Sequence, residues 1–266
     1  MSSLLSTRGP FTLFLPDNAA MQAYYTQEGI ASIDELDADQ CRNLVLNHVT
    51  PSMVYSTDVP LGALPEPNGL GDYLVTELPE TDILINKNSV ITDRDILTAN
   101  GVIHRIDAVI DIVSDNILLT MERNGAFSIF VEGLKRSGIR DTLEVVTIPY
   151  GAQDVRVRYT TLAVPDSVYA KYNILSIDDL IARFDDGNGD LSHPDNGFYR
   201  YMDYHCLEGS YFTSDFTTTV YTTISRENVV NMRVDTEFRI NYDASSEEYT
   251  GLIIAGSNIP AKNGVI

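Results

Sequence analysis

The chain of 266 residues carries 18 Lys and Arg against 38 Asp and Glu, a formal charge of −20, and 44% of its residues are hydrophobic. That length suffices for one or two domains with cores of their own, and a surface so acidic, with no segment that concentrates Lys or Arg, argues against nucleic acid and anionic membrane surfaces as partners. No apolar run approaches the roughly 18–20 residues of a membrane span, and Met1 to Arg8 lacks the apolar core of a signal peptide, so no direct membrane insertion of this segment is expected.

In chain order, Thr12-Leu-Phe-Leu-Pro-Asp17 reads as a strand stopped by Pro-Asp, whose aspartate caps a short helix over Ala19 to Tyr25. Ser32 and Glu35 have the spacing of a capping box. Cys41, Leu44, Val45 and His48 then fall at i, i+3, i+4 and i+7, the apolar face of an amphipathic helix. Asn100-Gly101 is a turn dipeptide placed before a strand that runs on through His104-Arg-Ile-Asp-Ala-Val-Ile110. In the stretch 114–158, Phe127, Phe130, Val131 and Leu134 mark one face of a further helix.

Beyond that point the pattern returns. Thr161-Leu-Ala-Val-Pro-Asp166 repeats the first strand at an offset of 149 residues, Ser176-Ile-Asp-Asp-Leu180 repeats Ser32-Ile-Asp-Glu-Leu36 at 144, and Asn263-Gly-Val-Ile266 repeats Asn100-Gly-Val-Ile103 at 163. Phe198, Tyr201, Met202 and His205 match Cys41, Leu44, Val45 and His48 at a shared offset of 157. Cys206 therefore aligns with Val49, and the two cysteines read as separate core thiols, with neither a disulfide framework nor metal-ligand spacing. The expected domains are 1–113 and 114–266. Nothing matches 114–158 ahead of the first copy, and the second stops at Ile266 where the first continues, so the chain reads as part of a longer protein that lacks the opening helices of domain 1 and the last strand of domain 2.

Gly9-Pro-Phe-Thr-Leu-Phe-Leu-Pro-Asp-Asn18 resembles the first signature of fasciclin-type domains, and Ile96-Leu-Thr-Ala-Asn-Gly-Val-Ile-His-Arg-Ile-Asp107 resembles the second. Leu46-Asn-His-Val49 lies where that family carries a Tyr-His motif; Asn47 stands in the place of the tyrosine, whereas Tyr204-His205 keeps the pair. The resemblance implies an α+β fold of two tandem fasciclin-type domains, each a wedge-like β-sandwich flanked by helices. It implies a non-enzymatic cell-surface or extracellular protein used in adhesion and binding. The stretch His193 to His205 is similar to a variant found in surface lipoproteins of gut-type Bacteroidetes, which implies outer-membrane anchoring of the full-length protein.

The residues to weigh for binding are Asn47, His48, Tyr204 and His205. A histidine on an apolar helix face reads first as a buried, hydrogen-bonded core residue, and only second as an adhesive contact. Asp186, Asn188 and Asp190 alternate as in the opening of a calcium loop, but Leu191 and Gly197 stand where that loop needs Gly and Glu, so the segment reads as an acidic surface loop. There is no Gly-x-Ser-x-Gly elbow, zinc-protease helix motif or Gly-rich phosphate loop, and Cys206 beside His205 makes no dyad, because helix neighbours point roughly 100° apart. No catalytic residue, metal or cofactor is expected. The expected partner is a protein or glycan at the cell surface, the glycan through Tyr24, Tyr25, Tyr199, Tyr201 and Tyr211, although the chain has no tryptophan.

Overall fold

The computed structural model describes residues 8–234 and 237–266; the opening residues 1–7, read above as lacking a secretory core, lie outside them. The chain divides into two compact units, Met1–Val113 and Ser114–Ile266. Both mix helices with sheets, an α+β architecture.

Strand β1 (Phe11–Pro16) leads into helix α1 (Asn18–Glu28), whose cap is Asp17, accepting the Ala20 N–H at 2.8 Å. The helix runs a turn past the expected Tyr25 and stops at Gly29 in the left-handed region, φ 70°. Ser32 opens only a 3-10 turn, Ile33–Glu35. The reciprocal capping box belongs instead to Asp37 and Gln40, at the start of helix α2 (Ala38–Asn47). Strands β2 (Val49–Thr50), β3 (Gly62–Ala63), β4 (Val75–Glu77), β5 (Leu84–Ile85), β6 (Ser89–Thr98) and β7 (Gly101–Ile106) complete the unit.

Among the described residues these strands form one sheet in the order β2-β1-β7-β6-β5-β4-β3, with β1 and β7 parallel and all other pairs antiparallel. The long β6 carries register shifts between Ile91 and Asp93 and between Asp93 and Ile96, and such irregularities bend a strand. Asp95 sits at that bend with φ 57°, held by the Ser56 N–H at 2.8 Å and the Ser56 hydroxyl at 2.6 Å. The core draws on both arms of the bent sheet: Phe14 and Ile106 from one, Leu64, Leu74 and Ile85 from the other. Strand β7 ends at Ile106, earlier than the sequence suggests, because its partner β1 ends there at Pro16. The chain then leaves the sheet and carries Ile110 into the core.

The second unit starts with helices α3 (Ile117–Asn124), α4 (Ser128–Arg136) and α5 (Arg140–Leu143) and a hairpin of β8 (Thr147–Tyr150) and β9 (Gln153–Arg156). Phe127, Phe130, Val131 and Leu134 are all buried, as their spacing predicts. Strand β10 (Tyr159–Thr161), helices α6 (Asp166–Lys171), α7 (Ile177–Phe184) and α8 (Gly197–Asp203), and β11 (Cys206–Glu208) follow. After them come β12 (Thr219–Thr222), β13 (Val229–Val234), β14 (Phe238–Ile240), β15 (Thr250–Gly251), β16 (Pro260–Ala261) and β17 (Gly264–Val265). One sheet has the order β11-β10-β17-β16, the other β12-β13-β14-β15.

The order β11-β10-β17-β16 restates β2-β1-β7-β6, again with the parallel pair in the middle. The hydrogen bonds set the alignment. Thr12 donates to Ser52 O at 2.7 Å and accepts from Val54 N–H at 2.9 Å; Thr160 donates to Gly209 O at 2.8 Å and accepts from Tyr211 N–H at 2.8 Å. Phe14 N–H bonds His48 O as Leu162 N–H bonds His205 O. Thr12 is thus equivalent to Thr160 and not to Thr161, one residue from the sequence match. In a strand a one-residue slip exchanges the two faces, so this correction decides which side chains share a core.

The last strand of each sheet begins at a glycine for the same reason. A Cβ on Gly101 would collide with Phe11 O, and one on Gly264 with Tyr159 O, at equivalent positions. Asp166, the sequence match of Asp17, differs from it in role, since the position before the helix is held by Pro165. It does not cap the helix that follows it, α6, but accepts the Ser128 N–H at 3.1 Å and the Ile129 N–H at 3.0 Å, capping α4, whose own N-terminal residue Phe127 has no capping side chain.

Two outcomes follow for stability. Gly101→Ala and Gly264→Ala are each expected to cost about 2 kcal/mol or more by chemical denaturation, because backbone and not a flexible side chain opposes the added methyl. Asp166→Ala is expected to cost about 1–2 kcal/mol, as loss of a helix cap does.

Candidate functional site

In the first unit α2 ends in two polar residues whose side chains turn inward. Asn47 and His48 are 1% and 3% exposed. His48 Nδ1 lies 2.7 Å from Leu44 O, an acceptor only, so that nitrogen carries the proton. Nε2 then accepts the Ile110 N–H at 2.9 Å. Asn47 Nδ2 donates to Ile110 O at 2.8 Å, and its Oδ1 accepts from Asn68 Nδ2 at 2.9 Å. Two adjacent side chains thus satisfy both main-chain polar groups of one buried residue that has left the sheet, and the helix end is tied to the chain that follows β7. Burial lowers the pKa of His48 below the ordinary imidazole value. Its protonation would set a second N–H against the Ile110 donor.

The second unit repeats half of this device. His205 Nδ1 donates to Tyr201 O at 2.8 Å, the same i−4 contact, and its ring lies edge-on to Phe130 with centroids 5.6 Å apart. Burial lowers its pKa as well. Nε2 meets no donor among the described residues, and His205 is half-buried where His48 is buried. Tyr204 is also half-buried, packed on the cluster of Leu207, Phe216 and Tyr221. The neighbouring Cys206 is buried in β11, and burial raises its thiol pKa, which disfavours the thiolate. Cys41 is half-buried, and both cysteines are free thiols.

The acidic loop is exposed, and its carboxylates face its own backbone. Asp186 Oδ1 accepts from Asn188 N–H at 3.2 Å and Gly197 N–H at 3.0 Å, while Oδ2 pairs with Arg200 at 2.9 Å. The Gly197 and Asn188 amides hold the Asp186 carboxyl below its usual pKa. Asp190 accepts both the hydroxyl and the N–H of Ser192, at 2.7 and 2.9 Å, and its pKa is lowered by those bonds. The arrangement secures the loop and the start of α8. Among the described residues no group of three or more His, Cys, Asp or Glu stands ready to hold a metal ion.

A binding role therefore divides the sequence-predicted residues. Asn47 and His48 offer no accessible polar atom, because their side-chain atoms are spent on Ile110, Asn68 and Leu44. Tyr204 and His205 lie partly open, and Asp186, Asn188 and Asp190 sit on the surface. Two buried polar groups escape a reading of the sequence. His104 donates through Nε2 to Val54 O at 2.8 Å and stacks on Phe14. Asp203 accepts from Thr223 Oγ1 at 2.7 Å, Ser225 Oγ at 2.8 Å and Asn228 Nδ2 at 2.9 Å, tying α8 to the turn between β12 and β13. The acceptor of His104 lies 50 residues earlier in the chain, and no local spacing marks it; Asp203 stands next to the apolar position Met202, a signal too common to single it out. Of the five tyrosines weighed for glycans, Tyr211 lines a surface depression of about 470 Å³ together with Glu208, Thr219 and Thr222, and packs against Phe216 and Tyr221.

Removing His48 leaves the Ile110 N–H buried without a partner. His48→Ala is expected to cost about 2–4 kcal/mol in urea unfolding. Both depressed imidazoles are neutral when folded, and the unfolded chain takes up their protons first. Stability is therefore full above about pH 6.5 and falls as pH drops from there toward the folded-state values. The same titration of denaturation midpoints in His48→Gln is expected to show a shallower fall.

Comparison with known proteins adds three findings. A solved FAS1 domain pair from the insect cell adhesion molecule Fasciclin I aligns over 100% of this chain and 88% of that one, at 16% identity and a TM-score of 0.41. Protein sll1483 of Synechocystis sp. is 31% identical over 106 residues, which are 40% of this chain and 57% of that protein, so the chain matches little more than half of that relative's length. Residues 1–112, all but the last residue of the first unit, match the family model of the fasciclin domain.

Proposed function

We propose that the chain is a pair of tandem fasciclin-type domains serving as a non-enzymatic adhesion or interaction module at the cell surface. The carrying observation is the family match of residues 1–112. Its extension to the second unit is supported by the shared strand order and by the equivalent hydrogen bonds of Thr12 and Thr160. The absence of catalysis is part of the proposal. The neutral, interior imidazole of His48, the protonated Cys206 thiol and the self-satisfied carboxylates of the acidic loop are groups at structural work. Among the described residues no helix is long and apolar enough to cross a membrane. Attachment to an outer membrane as a lipoprotein, of the kind suggested by His193 to His205, belongs to the same proposal.

A second reading, a glycan-binding accessory protein of a polysaccharide-uptake system, is favoured by the depression beside Tyr211. The two readings separate in a binding screen against arrayed polysaccharides and matrix proteins at two salt concentrations. Adhesion predicts binding to protein with no competition by sugar. A saturable glycan signal lost in Tyr211→Ala transfers the function to the second reading. Turnover of any substrate that His205→Ala abolishes, with the fold intact by circular dichroism, would sink the non-enzymatic proposal.

A further inference from the structure

The chain contains six Asn-Gly pairs, beginning at Asn68, Asn100, Asn124, Asn188, Asn196 and Asn263. Such a pair can lose ammonia without an enzyme. The main-chain nitrogen of the glycine attacks Cγ of the asparagine, the side-chain amide leaves as ammonia, and a five-membered succinimide forms. Water then opens the ring at either carbonyl, giving aspartate or, where the main chain is left running through Cγ, isoaspartate. No electrons are gained or lost, and a neutral side chain becomes an anion. Glycine favours the step because it has no side chain to shield its nitrogen and its dihedrals turn freely. A glycine N–H spent in a hydrogen bond, or a main chain fixed in a ladder or helix, opposes it.

Five of the six pairs are held. Asn68, Asn196 and Asn263 are buried, and their side-chain nitrogens donate to Asn47 Oδ1 at 2.9 Å, Asp185 Oδ1 at 2.8 Å and Leu143 O at 2.7 Å. Gly69 N–H donates to Leu46 O at 2.9 Å and Gly197 N–H to Asp186 Oδ1 at 3.0 Å. Gly101 and Gly264 close two-residue hairpin turns opposite Thr98 and Ala261, each walled by a carbonyl of the parallel strand. Asn124 is exposed, but it ends α3, and the Gly125 N–H returns to Met121 O at 3.3 Å.

Asn188 is the exception. It lies exposed in the loop between α7 and α8, flanked by Gly187 and Gly189, both left-handed at φ 75° and 76°. Its own N–H is anchored on Asp186 Oδ1 at 3.2 Å, and its side-chain amide shares that exposed carboxylate. The attacking group is not anchored: among the described residues the Gly189 N–H has no hydrogen-bond partner.

We propose that Asn188 is a site of spontaneous deamidation, selected by the fold from six pairs of the same sequence. The product puts a further carboxylate into a loop that already holds Asp185, Asp186 and Asp190, and isoaspartate adds one atom to the main chain. The added charge competes with Asp186 for Arg200, and the added atom presses on His193, whose side chain stands where a Cβ on Gly189 would lie. The acidic loop therefore changes charge and shape with the age of the molecule. The inference does not depend on the adhesion reading.

The test follows the full chain, folded and in guanidinium chloride, over weeks at neutral pH and body temperature. Intact mass and peptide fragmentation locate each lost amide. The folded chain is expected to gain about 1 Da and one negative charge, with residue 188 reacting at least about tenfold faster than each of the other five. The unfolded chain is expected to react at all six, at rates within a few-fold of one another, because only the fold separates them. Asn188→Gln, whose longer side chain closes a six-membered ring less readily, should remove the acidic form, and Asn124→Gln should leave it. Circular dichroism checks that both variants fold. No loss of the Asn188 amide from the folded chain, or an equal rate at any of the other five, overturns the proposal.

Discussion

The architecture of each unit depends on one long-range contact, the parallel pairing of the strand that opens the sheet with the strand that follows the Asn-Gly turn. Phe11 pairs with Gly101 and Tyr159 with Gly264. Closing so long a stretch of chain costs entropy that local contacts do not recover, so the pair must be specified tightly. The specification is steric on one side and polar on the other. A glycine lets its backbone approach the facing carbonyl, and a buried threonine in the opening strand holds the segment after the helix by two hydrogen bonds. Once this pair is set, the positions of the antiparallel neighbours on either side follow.

The buried polar residues are the seams of that closure. His48 and Asn47 hold Ile110, His104 holds Val54, Asp203 holds the turn after β12, and Asn263 accepts the Ile117 N–H while donating to Leu143 O and Val145 O. Each joins segments far apart in sequence and leaves few main-chain groups without a partner, which is how a fold of short strands and irregular connections keeps its interior satisfied. Such residues are polar for the sake of the backbone. What faces water is a separate set: the loop around Asp186, the depression beside Tyr211 and the hairpin with its exposed apolar side chains.

Much of this plan is legible in the sequence. The repeated Pro-Asp, Ser-x-x-acid and Asn-Gly signals, and the helix faces ending in His48 and His205, are local patterns that report local geometry, whereas the α+β class came from the family resemblance. The interior placement of His48 is readable from helical register. Its two-sided use with Asn47 is not, because Ile110 lies outside the helix and its approach is set by where β7 ends. The cap role of Asp166 is hidden in the same way: the spacing points to the helix that follows, whereas the helix it serves precedes it in the chain and is brought near only by packing.

By itself, then, the sequence determined what depends on neighbours along the chain: helix faces, turns, most caps, the presence of a repeat and the scarcity of reactive constellations. Tertiary structure alone decided the register of the repeat, moving the equivalence of Thr12 from Thr161 to Thr160, and the fates of the polar side chains. The physical reason is the same in each case: strand pairing and buried hydrogen bonds are made between residues that sequence spacing leaves unrelated, and a shift of one residue in a strand exchanges inside for outside.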